Sequence, residues 1–409
     1  MKKIAERQQD ILSIISKLDI SPTMYKNAVE KYKAIAQFLE DLGISASIYP
    51  QGSFALGTVV RPYVKNNDAN YDLDFICQVN GSRDEYTPSG LRQKIQDALQ
   101  SSPIYRERLK VWDECFTIQY ADISGVGFSI DIVPASDETV ENKMRLHSYG
   151  DPHNLVGTAI AIPKYNGIRN YSWMTNNPKG YRTWFEQINR PFQQYSRNLY
   201  RQRLFSQYPT FFASVEDIPE DLERSALQRA IQVLKHHRDV HYSHLSNGDH
   251  LKPISAIIST VAACIAFNCS PTTDTFTLLG YIIDELEVYS QLMTYSQNQF
   301  EYLHPGKTII QKNNGQWHIN NPANPADNLA NKWNQSPKVA ETFFRWIKTF
   351  KMDLMQSLTD EDDNGFRIAL ENSFGARAVS TAIGSKYRPS ITSSASVIST
   401  AAKPYFKVI

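Results

Sequence analysis

The chain has 409 residues, 42% hydrophobic and 21% charged, enough to bury a sizeable core and hold two domains, which excludes wholesale disorder. Lys plus Arg total 43 against 42 Asp plus Glu, a formal net charge of +1, which argues against a protein that coats long nucleic acid. Cys77, Cys115, Cys264 and Cys269 are scattered without a C-x-x-C element, so they read as free thiols in a reducing compartment rather than as a zinc site.

The charged start, Met1 to Arg7, leads into an amphipathic helix over residues 1–19, with Ile4, Ile11, Leu12, Ile15 and Leu18 on one face. No apolar signal-peptide core is present, and the most apolar stretch, residues 254–267, is too short to span a bilayer. The expectation is a soluble, cytoplasmic protein without a membrane role. Ser21-Pro22 starts a second helix, with Ser as N-cap and Pro at the first helical position, and Gly43 closes it after Leu42. A strand is expected at 47–51, then a Gly-Ser turn, a short helix from Ser53 and a loop over 61–70. A strand around residues 71–75, a helix at 88–100 and two alternating strands at 115–123 and 127–133 follow, the pair joined by a hairpin turn at Ser124-Gly125. A further strand is expected at 159–162. Helical patterns dominate from about residue 180, at 221–242, 253–268, 276–294, 336–357 and 360–373, with a loop at 313–328 and a Ser/Thr-rich tail near 390–399. The fold class is α+β, divided at 180: residues 1–180 carry the sheet and N-terminal helices, and residues 181–409 are helical.

Two segments read as halves of one metal site. Side chains alternate between the faces of a strand, so Asp72 and Asp74 of Tyr71-Asp72-Leu73-Asp74-Phe75 share one face, while Tyr71, Leu73 and Phe75 face the core. In Phe128-Ser129-Ile130-Asp131-Ile132, Asp131 lies opposite the apolar set. Converging carboxylates repel unless cations lie between them, and a hard divalent cation with oxygen ligands and phosphates in its shell meets that need. The preceding Gly52-Ser53 joins strand to helix, where Gly lets a phosphate approach the backbone and Ser adds a hydroxyl. The order Gly-Ser, D-x-D, single Asp points to nucleotidyl transfer.

That order resembles the nucleotidyltransferase superfamily related to DNA polymerase beta. The run Gln51-Gly52-Ser53-Phe54, Leu56-Gly57-Thr58-Val59-Val60-Arg61-Pro62 and Tyr71-Asp72-Leu73-Asp74 is similar to the bacterial cGAS/DncV-like nucleotidyltransferases, which make cyclic oligonucleotide signals in anti-phage defence. Trp173 with Asn177-Pro178-Lys179-Gly180-Tyr181, Trp184-Phe185, and Ile319-Asn320-Asn321-Pro322 with Asn324-Pro325, Asn328-Leu329-Ala330 and Trp333 extend the resemblance to about residue 335. It implies a polymerase-beta-like core packed against a helical domain like that of oligoadenylate synthases. It also implies Mg²⁺ (or Mn²⁺) held by Asp72, Asp74 and Asp131, with Asp131 on the ion that activates the acceptor hydroxyl. The donor triphosphate would lie on Gln51, Gly52 and Ser53, with Lys235 and Ser255 contacting it from two helices. Nucleoside triphosphates are the implied substrates, a separate effector the implied target of the product, and a regulatory partner protein has room to act.

His236, His237, His241 and His244 cluster without the Glu of an H-E-x-x-H site and read as packing residues. The loop Lys65-Asn66-Asn67-Asp68 reads equally as solvated or as touching the acceptor. None of the 22 tyrosines stands out as the base-stacking residue. Two other readings stay open at this level: a template-independent polymerase making linear or tailing products, and an inactive nucleotide-binding module.

Overall fold

The computed structural model describes residues 2–64, 67–123, 126–167, 170–207 and 223–389. The Ser124-Gly125 turn, Lys65 and Asn66, and the tail at 390–399 lie outside the described residues. The first half runs α1 (Lys2–Leu18), α2 (Pro22–Asp41), β1 (Ala46–Pro50), α3 (Gly52–Leu56), β2 (Tyr63–Val64), β3 (Asn67–Asp68), β4 (Tyr71–Ser82), α4 (Pro88–Ser101), α5 (Pro103–Arg106), β5 (Leu109–Val111), β6 (Phe116–Ile123), β7 (Val126–Asp137), α6 (Val140–Ser148), β8 (Ile160–Tyr165) and β9 (Tyr171–Asn176). The second runs α7 (Pro178–Gln207), α8 (Ala226–Ser243), α9 (Gly248–Leu251), α10 (Ser255–Ala266), α11 (Thr275–Tyr289), α12 (Gln297–Leu303), β10 (Gln311–Asn313), β11 (Gln316–His318), α13 (Asn331–Gln335), α14 (Pro337–Phe350), α15 (Asp363–Phe374) and α16 (Ala376–Ile383).

One mixed sheet organises the first half, in the order β1–β4–β7–β6–β5, with β8 on the end of β7 and β9 beyond it. β4 and β7 pair in parallel, and the other neighbours are antiparallel. Leu73, Phe75, Ile130 and Ile132 are fully buried, and α2 and α4 cover them with Ala28, Ile35, Leu39, Leu91 and Ile95. The alternation leaves Asp72, Asp74 and Asp131 on the opposite face. Ser21 caps α2 through its hydroxyl, which accepts from Met24 N at 3.2 Å, and Pro22 sits where its missing N–H costs nothing.

Several elements differ from the sequence expectations. The grouping of residues 1–180 separates, because α1 joins the helical half: Ile11, Ile14 and Ile15 are fully buried with Leu227, Ile231 and Leu234 of α8. Buried Arg7 holds this arrangement by donating to the carbonyls of Ser357, Leu358, Asp360 and Asp362, its guanidinium 4.2 Å from the Phe366 ring centre. The loop at 61–70 contains the short β2–β3 ladder. The stretch at 313–328 is not all loop: β10 and β11 form a hairpin about Asn314 (φ 50°) and Gly315 (φ 79°), the Asn-Gly pair that a two-residue hairpin turn favours. The helix expected from 221 starts at Ala226, because Ser225 forms a capping box with Gln228. β5, β9 and the long α7 were not foreseen as elements; β9 lacks clean alternation, and Pro191 interrupts the pattern of α7.

Candidate active site

Asp74 and Asp131 are register partners across the parallel β4–β7 pair, and Asp72 faces Ser129 two residues earlier. The Ser129 hydroxyl donates a very short bond to Asp72 Oδ1, and the Thr117 hydroxyl donates to Asp131 Oδ1 at 2.6 Å. Each bond occupies one oxygen and leaves the other. Burial, then Asp131 and Asp72, push the Asp74 carboxyl up to about 7, against the pull of Lys235. Burial and Asp72 raise Asp131 as well, opposed by the Thr117 bond. The Cys115 thiol stands beside this cluster and is pushed up to about 12 by burial and by Asp131 and Asp74. Among the described residues no three His, Cys, Asp or Glu side chains are drawn close enough to enclose a metal ion. The oxygen-only donor set and the raised carboxyls of Asp74 and Asp131 nevertheless suit a hard divalent cation, which would favour their ionised forms.

Gly52 ties this cluster to the neighbouring cleft. Its φ is +55°, and a Cβ there would stand 3.0 Å from Asp74 Oδ2, so only glycine lets the turn pass this close to the carboxylate. Gln51 N donates to Asp74 O at 2.9 Å, which fastens the turn to β4. Beyond it opens a cleft of about 290 Å³ that gathers Gln51, Gly52, Ser53, Lys235 and Ser255, residues from three separate stretches of chain. Thr58 is also in its wall, buried, with its Oγ1 lacking a protein partner.

α8 builds this wall. Gln228 donates to Leu56 O (2.9 Å), Gln232 to Val59 O (2.6 Å) and Lys235 to Thr58 O (3.0 Å), while His236 Nδ1 lies 3.0 Å from Arg61 O. These positions share one helical face, so a single stripe of buried polar side chains clasps the chain from the end of α3 to Arg61. Burial and the nearby Arg238 push the Lys235 amine down to about 8, with Asp239 and Asp74 opposing. Ser255 opens α10, and its Oγ accepts from Arg238 at 3.0 Å, which leaves its proton for the cleft.

Residues 6–155 match the Second Messenger Oligonucleotide or Dinucleotide Synthetase (SMODS) domain family. A c-di-GMP synthase of Roseivirga ehrenbergii is 26% identical over 334 residues, 80% of this chain and 73% of that protein. The cyclic dinucleotide synthase CdnG of Bradyrhizobium diazoefficiens is 27% identical over 237 residues, 55% of this chain and 51% of that protein. The solved structure of that CD-NTase CdnG in complex with GTP superposes with a TM-score of 0.65 at 20% identity, covering 92% of this chain and 98% of that one. Residues 6–155 thus belong to that domain family, and the chain as a whole is similar to the cGAS/DncV-like nucleotidyltransferases.

Other parts of this nucleotidyltransferase support the cleft without chemistry of their own. Buried Asn177 donates to Leu155 O (2.9 Å) and Ala323 O (2.8 Å), and its Oδ1 accepts from Gly180 N and Thr158 Oγ1, so it pins the join between sheet and helices. The histidine cluster packs: His237 accepts from Trp346 Nε1 at 2.9 Å, and His236 Nε2 lies 3.2 Å from Phe374 O. Tyr71 is buried, with its hydroxyl donating to Leu18 O and Asp19 O. Tyr181, Ser259 and Asp327 also line the cleft; Tyr181 ends the Asn177–Tyr181 motif, while no sequence pattern singles out Ser259 and Asp327, which lie far apart in the chain. No helix among the described residues is long and apolar enough to cross a membrane.

Proposed function

We propose that this nucleotidyltransferase makes a cyclic di- or trinucleotide from nucleoside triphosphates and releases pyrophosphate at each bond. The observation that carries the reading is the placement of Asp74: it neighbours Asp131 in register, and it abuts Gly52 at the mouth of the cleft. In this reading acceptor activation and triphosphate binding lie within one side chain of each other. The names of the relatives, cyclic dinucleotide synthases, support the choice of a cyclic product.

In this reading the triphosphate lies along Gly52 and Ser53, with the Lys235 ammonium and the Ser255 hydroxyl toward its far end. Asp72, Asp74 and Asp131 would hold Mg²⁺ (or Mn²⁺), which when bound lowers the pKa of the attacking hydroxyl and neutralises the leaving pyrophosphate. The acceptor ribose oxygen bonds to the α-phosphorus, the bond from that phosphorus to the bridging oxygen breaks, and pyrophosphate carries away the electron pair. Asp131, held by Thr117, takes the hydroxyl proton. A further transfer within the linear intermediate closes the ring. A role for the product in anti-phage defence, acting on a separate effector, belongs to the same proposal.

The test is incubation with all four nucleoside triphosphates and Mg²⁺, followed by mass analysis after phosphatase treatment. A phosphatase-resistant cyclic species is expected. A phosphatase-sensitive ladder would instead assign a linear polymerase, and nucleotide binding without turnover a binding module.

A further inference from the structure

On the side of the aspartates away from the Gly-Ser turn, the chain builds a second platform that the cleft does not include. The sheet order β1–β4–β7–β6–β5 places the turn after β1, with Gly52, at one side of the carboxylates, and the turn between β5 and β6 at the other. That second turn covers residues 112–115 and is closed by Trp112 N donating to Cys115 O at 3.0 Å. Trp112 is 56% exposed, yet it is held firmly. Its indole Nε1–H donates to Thr117 Oγ1 at 2.9 Å, and the same hydroxyl donates to Asp131 Oδ1 at 2.6 Å. A threonine hydroxyl has one proton, so the chain of bonds runs in one direction, from indole to hydroxyl to carboxylate. Arg92 fixes the backbone from below, donating to Trp112 O (2.5 Å) and Asp113 O (3.0 Å), with its guanidinium over the rings of Phe116 and Tyr171. The indole edge is thus spent on Thr117, while the ring is partly open to solvent two hydrogen bonds from Asp131.

We propose that Trp112 is the platform for the acceptor nucleotide, stacking on its base so that the ribose hydroxyl arrives beside Asp131; this rests on the nucleotidyl-transfer reading above. An in-line displacement brings the attacking oxygen from the side opposite the leaving pyrophosphate. With the triphosphate on the Gly52–Ser53 side, the acceptor enters from the β6–β5 side, where Trp112 stands. Stacking on an aromatic face is tolerant of base identity, so the platform serves whichever base the acceptor carries.

The experiment is equilibrium binding of non-hydrolysable nucleoside triphosphate analogues, with Mg²⁺, to the full chain and to Trp112→Ala, Trp112→Leu and Trp112→Phe. The wild type takes two nucleotides. Trp112→Ala and Trp112→Leu weaken one site by roughly 10- to 100-fold and leave the other unchanged, whereas Trp112→Phe, which keeps an aromatic face and lacks the N–H, stays within about fivefold of wild type. If Trp112→Ala does not fold, Trp112→Leu against Trp112→Phe carries the comparison. The proposal is overturned if the wild type binds a single nucleotide, if both sites survive in the Leu variant, or if the Phe variant is as weak as the Leu variant. The last result would give Trp112 only the task of holding Thr117. Pyrophosphate release by the wild type is read separately, so a failure of the catalytic reading is distinguished from a failure of the platform.

Discussion

Asp74 and Asp131 stand directly opposite each other on adjacent parallel strands, two carboxylates leaving the same face of the sheet. Burial and this neighbour hold the Asp74 carboxyl up to about 7, above its ordinary value of 3.8. A carboxyl raised in this way favours the fold while it is protonated, and that contribution is lost as pH rises from its unfolded value through its folded one. In metal-free protein, Asp74→Asn is therefore expected to be more stable than wild type at pH 8, by about 1–2 kcal/mol after allowance for solvent screening. The gap should close toward pH 4. Thermal melts at the two pH values measure it, and an Asn variant less stable at pH 8 would contradict the account.

The same raised carboxyl makes divalent-cation binding compete with a proton. Mg²⁺ titration at pH 6 should release close to one proton, and at pH 8 only a small fraction of one, with apparent affinity falling by up to about tenfold per pH unit below 7. Calorimetry in buffers of different ionisation enthalpy reads the proton count directly. Equal release at both pH values would place the proton elsewhere.

Removal of Asp131 tests the chemistry apart from the fold. Asp131→Asn should lower pyrophosphate release roughly 10²- to 10⁴-fold, the range for losing a positioned proton acceptor, with little change in donor nucleotide affinity. Thr117→Val, which removes the 2.6 Å bond that orients Asp131 together with the bond accepted from Trp112 Nε1, should cost a smaller factor of about 10. Near-wild-type turnover of the Asn variant would remove Asp131 from the reaction.

Lys235 is an amine whose burial has already brought its pKa down to about 8. Triphosphate binding by wild type should therefore weaken between pH 8 and pH 9.5, as the ammonium loses its charge. Lys235→Met should bind nucleoside triphosphates roughly 10-fold more weakly at pH 7, the loss of one charge-assisted contact, and show no such dependence over this range. Nucleotide titrations across this range decide it; a Met variant that keeps both the affinity and the pH slope would take Lys235 off the triphosphate.

Gly52 carries two constraints at once, a left-handed backbone and contact with Asp74. Gly52→Ala is expected to lose about 1–2 kcal/mol of stability from the backbone alone. It should also weaken Mg²⁺ binding, because the new methyl displaces the Asp74 carboxylate. Melting temperature and Mg²⁺ titration separate the two effects.

The carboxylate trio was legible because strand alternation is a local rule. Leu73 and Phe75 must be buried, so Asp72 and Asp74 must share the other face, and Ile130 and Ile132 place Asp131 likewise. Ser21-Pro22 marked a helix start for equally local reasons. Asn314-Gly315 is an equally local hairpin signal, masked by the surrounding Asn and Pro, which read as loop. The allegiance of α1 was not legible, since its apolar stripe suits any partner and only the carbonyls at 357–362 meeting Arg7 choose one.

By itself, the sequence determined which residues share a face, where helices are capped, and the order of Gly-Ser turn, paired aspartates and lone aspartate. These depend on neighbours within a few positions, where steric and hydrogen-bonding rules act without reference to the rest of the chain. Only the tertiary structure decided that Asp74 and Asp131 are register partners, that Gln228, Gln232 and Lys235 clasp the carbonyls after α3, and that Trp112 reaches Asp131 through Thr117. Those pairings join residues far apart in the chain or brought together by strand pairing, and they depend on how buried polar groups find partners when the sheet and the helical half close on one another.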